Sequence, residues 1–181
     1  MKRQKYVLEV KMKVSITVGS PFRKNGYLNI DPITKPDGLD VDIRNLDDVV
    51  DDAECTEFIA EDVLDYLESS EAYKVLNHWI GKLRRGGKIV IGGTDAYEAS
   101  KMFYQQKIDL EEFNKLVHGA FSQPWDVRLH NVTLEYMQSK LENAGLKVTK
   151  KRLDGYRIVR RRKRVTFQQN QPQGLTTSCK D

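Results

Sequence analysis

Four short β-rich runs constrain this chain more than any other feature: VSITVG at 14–19, YLNI at 27–30, TEFIA at 56–60 and KIVI at 88–91. Each stops at residues suited to a turn or a ligand, namely Gly19-Ser20, Asp31-Pro32, Glu61-Asp62 and Gly92-Gly93. A helical stripe of Val75, Leu76, Trp79, Ile80 and Leu83, at three- and four-residue spacing, separates the last two. Ser69 or Ser70 would cap that helix, Glu71 would favour its first turn, and Gly86-Gly87 would close it. Strands alternating with helices predict a mainly parallel sheet with helices on both faces. Such a sheet binds ligands beyond the carboxyl ends of its strands, near the point where strand order reverses. The stretch between Gly19 and Tyr27 contains Pro21 and Gly26. It falls short of the roughly twelve residues that a crossover helix requires, so the first crossover helix is reduced or absent.

The remainder fits one α/β domain. Residues 32–40 form a Pro-, Gly- and Asp-rich loop, 41–43 a very short strand, and 46–52 a brief helix or turn. Residues 96–106 and 109–118 are predicted helices. The second opens on Asp109 with Glu112 three positions on, a capping-box pattern, and its apolar face is Leu110, Phe113, Leu116 and Val117. A long irregular loop at 119–131 contains Pro124, Trp125, Asp126 and His130. Thr133 caps a further helix with the stripe Leu134, Met137 and Leu141, closed by Gly145. Strands at 146–151 and 156–160 form an antiparallel hairpin about Asp154-Gly155. From residue 168 the composition turns to Gln, Asn, Thr and Ser, giving a domain over 1–167 and a disordered polar tail over 168–181.

Composition excludes several classes. No apolar run approaches the roughly 20 residues that span a bilayer. The basic N-terminus alternates apolar and charged residues instead of presenting the apolar core of a secretory signal, so a cytoplasmic location is expected. Cys55 and Cys179 form neither a disulfide framework nor a metal site. The net charge of +4 conceals an acidic segment from 37 to 68, Arg44 excepted. A basic segment follows from 147 to 164, Asp154 excepted.

Taken together, VSITVGSPFRKNGYLNIDP, VDIRNL, ECTEFIAEDVLDYL, HWIGKLRRGGKIVIGGTD and TLEYMQSKLENAGLKV resemble the class I S-adenosylmethionine-dependent methyltransferases. They resemble in particular a compact predicted-methyltransferase branch found in bacteria and their phages. The resemblance covers residues 14–156 and implies a Rossmann-like fold, S-adenosylmethionine as cofactor, and a small-molecule or glycan acceptor. It implies that Asp31 binds the cofactor ribose and that Asp42 and Ile43 flank the adenine, with Asp42 at the exocyclic amine. Glu61 and Asp62 would lie near the methionine end. Gly119, Pro124, Asp126 and His130 match a loop on the substrate side. Gly19 and Ser20 stand where the family usually reads Gly-x-Gly to wrap the methionine moiety. Here only one of the two glycines remains.

A hydroxyl acceptor benefits from a general base. His130, beside Asp126 in the loop, is the first candidate and His118 the second. The altered glycine turn supports an alternative class, a methyltransferase-fold protein that binds without catalysing. The Arg- and Lys-rich run at 160–164 suggests a third, a nucleic-acid-binding module. A charge cluster that protects a sheet edge explains that run as well.

Overall fold

The computed structural model describes residues 12–152 and 165–169. Strand β1 (Met12–Ile16) lies between β2 (Leu28–Ile30) and β3 (Cys55–Glu61), parallel to both. Val14 is level with Leu28 on one side and Phe58 on the other. Strand β4 (Leu83–Gly92) continues the parallel set beside β3. An antiparallel pair, β5 (Val148–Arg152) and β6 (Val165–Gln169), completes the order β2-β1-β3-β4-β6-β5. The chain therefore moves outward from β1 to β2 and returns across β1 to β3. That reversal puts the sheet's ligand crevice at the carboxyl ends of β1 and β3.

No helix connects β1 to β2. Asn29 organises the short return instead: its Oδ1 accepts the Lys24 N–H at 2.8 Å while its Nδ2 donates to the Lys24 and Tyr27 carbonyls. One face of the sheet builds the core, with Val14, Ile16, Phe58, Ala60, Ile89 and Ile91 all buried. Helix α1 (Ser69–Gly81) adds Val75, Leu76 and Trp79 to that cluster, and the Trp79 ring lies 5.3 Å from Phe58. Helix α4 (Leu134–Asn143) adds Leu134, Met137 and Leu141. The sequence predicts helices on both faces. Among the described residues, the stripes of α1 and α4 share one cluster, while the opposite face carries Lys13, Glu57 and Lys88 in register. Glu57 pairs with both lysines, at 3.5 and 3.3 Å.

Helices α2 (Ala96–Tyr104) and α3 (Leu110–His118) follow β4, and α3 has the capping box expected of Asp109 and Glu112. Elsewhere the structure corrects the boundaries. Glu68 caps α1, its carboxylate accepting the N–H groups of Ser70 and Glu71, so neither Ser69 nor Ser70 takes that role. The helix also ends at Gly81, ahead of Gly86-Gly87. Ala53 and Cys55 donate to the carbonyls of Gly81 and Lys82, which draws this backbone into the sheet, and Gly86-Gly87 becomes a bulge inside β4. Residues 41–43 are not a strand. Val41 and Ile43 are buried, but the Ile43 carbonyl accepts from Trp79 Nε1 at 2.8 Å, which anchors the segment to α1.

The strand that pairs with β5 is 165–169, overlapping the first positions assigned to the polar tail. The expected turn at Asp154-Gly155, the strand at 156–160 and the basic run at 160–164 lie outside the described residues. Among the described residues no helix is long and apolar enough to cross a membrane, and no three metal-ligating side chains converge.

Candidate functional site

At the carboxyl end of β2 the sequence places an aspartate before a proline, and the structure buries it: Asp31 is 2% exposed. Its carboxylate accepts five hydrogen bonds from its own chain. Oδ1 receives Gly19 N (3.0 Å), Ile33 N (2.9 Å) and Thr34 N (3.0 Å), while Oδ2 receives Thr17 Oγ1 (2.9 Å) and Ser20 N (2.9 Å). An ionised carboxylate has about four lone-pair sites, so this one is saturated. Burial works against its charge, but the N–H groups of Thr34, Ser20, Gly19 and Ile33 outweigh burial and hold the carboxyl below its ordinary range. The three expected switch-point residues Gly19, Ser20 and Asp31 thus form one unit, in which Asp31 sets the shape of the glycine turn.

Gly19 sits at φ +64°, in the left-handed region. A Cβ there would fall 2.1 Å from Cζ2 and 2.2 Å from Cη2 of Trp125, so glycine alone lets this ring approach. The Trp125 indole comes from the 119–131 loop and meets the ring of Tyr66 edge-on, at a centroid distance of 6.1 Å. Gly119 starts that loop at φ +98°, and a Cβ on it would lie 2.4 Å from the Asp126 carbonyl oxygen.

Asp65 fixes the rest of the loop from the 3-10 turn Leu64–Tyr66 beyond β3. Its carboxylate pairs with the Arg128 guanidinium and accepts Thr94 N, and its carbonyl accepts Leu129 N at 2.8 Å. Both side chains of this ion pair are fully inside, 1% and 0% exposed. Burial pushes the Asp65 carboxyl up, against the pull of the Arg128 charge and the Thr94 N–H. Satisfaction here is incomplete: Arg128 Nε and Nη2, Thr94 Oγ1, Asn131 Oδ1 and His130 Nε2 are buried without a hydrogen-bond partner among the described residues. Each such group carries a desolvation cost of about 1–3 kcal/mol.

The remaining expected residues scatter. Asp42 turns its carboxylate to Arg44 (2.9 and 3.1 Å), whose hydrogen bond chiefly holds the carboxyl below its ordinary range. Ile43 is a core residue. Glu61 ends β3 opposite Gly92, and Asp62 follows at φ +54° with its N–H on the Gly92 carbonyl. His118 is exposed at the end of α3, and its carbonyl accepts Arg128 N. His130 lies inside the loop. Its Nδ1 is 2.8 Å from the Leu67 carbonyl, which can only accept, so Nδ1 carries a proton and, in the neutral ring, Nε2 holds the lone pair. Sequence reasoning missed Asp65, Arg128 and the contact of Trp125 with Gly19.

The glycine turn fits a ligand that brings a flat or slender group against backbone, as the indole on Gly19 demonstrates. Any ligand seated against the Gly19 Cα, S-adenosylmethionine included, would need the space that the Trp125 ring fills.

No protein-family model matches this chain, and no curated protein sequence matches it. Solved structures do. The 1,6-didemethyltoxoflavin-N1-methyltransferase of Burkholderia thailandensis, in a structure with bound 1,6-didemethyltoxoflavin and S-adenosylhomocysteine, superposes with a TM-score of 0.56 at 8% identity. That match covers 90% of this chain and 72% of that one. A SAM-dependent methyltransferase from Archaeoglobus fulgidus gives 0.53 at 12% identity, covering 80% and 76%. An O-methyltransferase family protein from Burkholderia thailandensis gives 0.52 at 12%, covering 82% of this chain and 37% of that one. The chain spans less than half the length of several of the structures it matches. At these identities the likeness establishes the fold, which is that of the class I S-adenosylmethionine-dependent methyltransferases.

Proposed function

We propose that this chain is an S-adenosylmethionine-dependent methyltransferase acting on a small-molecule or glycan acceptor, with a donor cleft closed by its own loop. One observation carries this reading: the sheet's switch point brings Gly19, Ser20 and Asp31 together within hydrogen-bond distance. When bound, S-adenosylmethionine supplies an electrophilic methyl group on sulfonium, a good leaving group, so the protein's task is positioning and exclusion of water. Gly19 would give the donor its closest backbone approach. Asp31 would hold the turn in shape and, by yielding the Thr17 or Ser20 donor, accept from ribose hydroxyls. Glu61 and Asp62 stand at the adjacent end of β3. His130 Nε2, with its lone pair and no partner among the described residues, would take the proton of an acceptor hydroxyl.

Calorimetric titration of the full chain with S-adenosylmethionine and S-adenosylhomocysteine tests the reading. Binding is expected at submillimolar to millimolar ligand, and Asp31→Ala should weaken it. A folded chain, by circular dichroism, that binds neither compound at millimolar concentration rejects the transferase reading.

A second reading, a methyltransferase-fold protein that binds a partner without catalysing, is favoured by the five own-chain donors that saturate Asp31. Ser20 in place of a glycine favours it too.

A further inference from the structure

We infer that the 119–131 loop is a self-inhibitory plug, in which Trp125 occupies the Gly19 notch and is exchanged for the nucleoside donor. The inference rests on the transferase reading and concerns the regulation of the same site. Its first support is steric. A virtual Cβ on Gly19 lands 2.1 Å from the indole, so the space against the Gly19 Cα is filled while Trp125 stays.

Its second support is the way the loop is held. The closed arrangement has specific fastenings: Arg128 on Asp65, Ser122 Oγ on Asp126 Oδ2 at 2.9 Å, Tyr66 OH toward Asp126 Oδ1 at 3.4 Å, and Arg128 N on the His118 carbonyl. The same arrangement leaves Arg128 Nε and Nη2, His130 Nε2 and Asn131 Oδ1 buried without partners among the described residues, and it holds the non-glycine Phe121 at φ +51°. The uncompensated groups offset part of what the fastenings contribute, so opening this loop costs less than its fastenings alone would imply. Opening returns those groups to water, and closing seats the indole. A ligand that binds only the open arrangement shifts the balance by its differential affinity.

The regulatory consequence is that apparent affinity for the donor is reduced by the fraction of molecules that are open. Whatever stabilises the open loop, such as an acceptor bound beside Arg128 and His130, would raise donor affinity.

The test uses the full chain and S-adenosylhomocysteine as probe. Calorimetry should give Trp125→Ala at least ten-fold tighter binding than wild type, while Trp125→Phe, which keeps a flat ring, should stay near wild type. In parallel, saturating S-adenosylhomocysteine should raise the acrylamide-quenchable fraction of wild-type tryptophan fluorescence, because Trp125 leaves its seat while Trp79 remains buried. Equal binding by wild type and Trp125→Ala, or binding with unchanged quenching, overturns the plug and leaves the transferase reading intact. Absence of binding by folded wild type and by both variants overturns both.

Discussion

Asp31, beyond β2, and Asp65, beyond β3, are both buried carboxylates, and the protein treats them in opposite ways. Asp31 is surrounded by N–H and hydroxyl donors from adjacent turns, which saturate it and hold its pKa down. Asp65 depends chiefly on a single distant guanidinium, and burial pushes its pKa up. Backbone donors fixed by the fold make a rigid corner at little further cost. A long side chain from another loop makes a latch whose own nitrogens remain partly unpaired. The difference divides the site into a half fixed by backbone, the glycine turn, and a half held by a long side chain, the loop bearing Trp125.

Breaking the latch should have the largest effect. Arg128→Met leaves Asp65 buried and unpaired, and urea denaturation should record a loss of about 3–5 kcal/mol, the usual cost of removing one partner of a buried ion pair. The double substitution Asp65→Leu with Arg128→Met should lose less than the single one. A single-variant loss under about 1 kcal/mol would mean that the pair is not closed in solution.

Asp31→Ala strands four N–H groups and should cost about 2–3 kcal/mol in the same assay, less than the latch because water reaches the turn from one side. The pH dependence sharpens the contrast. Asp31 has a folded pKa below its ordinary 3.8. Its contribution is therefore complete above that value and is lost as the pH falls through it toward the lower folded value. Stability measured between pH 7 and 3 should drop less steeply at the acid end in Asp31→Asn than in wild type. Parallel curves would show that the turn is not held by an ionised Asp31.

Gly119→Ala forces a Cβ toward the Asp126 carbonyl and a left-handed φ onto alanine. A loss of about 1–2 kcal/mol is expected, together with easier quenching of Trp125. An unchanged loop would show that the conformation at Gly119 is not what shapes it. Tyr66→Phe removes the long 3.4 Å contact of the hydroxyl to Asp126, and a loss of about 0.5 kcal/mol or less is expected. A larger loss would place Tyr66 among the loop's main fastenings.

Much of the frame was legible because strand ends and helix starts are written locally. Asp31 on Ile33 and Thr34, Asp109 with Glu112, and Thr133 on Tyr136 each act on backbone only a turn away. The α1 boundaries misled because Glu68 outcompetes two adjacent serines for the same N–H groups. Pairing of residues 53–55 with 81–83 likewise overrides the glycines at 86–87. Residues 41–43 alternate like a strand, but their register is to Trp79 and not to a neighbouring strand. The latch had no signature in the sequence at all. Asp65 and Arg128 are 63 positions apart, and nothing near either residue announces the other. Nor does any local pattern announce that a tryptophan in an irregular loop comes to rest on the first glycine turn.

A crystal structure of the full chain grown with S-adenosylhomocysteine measures the central claim directly. The account predicts ligand density against Gly19 and Asp31 with the Trp125 indole swung away and the 119–131 backbone displaced. Ligand density elsewhere on the molecule, with the indole still seated on Gly19, would contradict it.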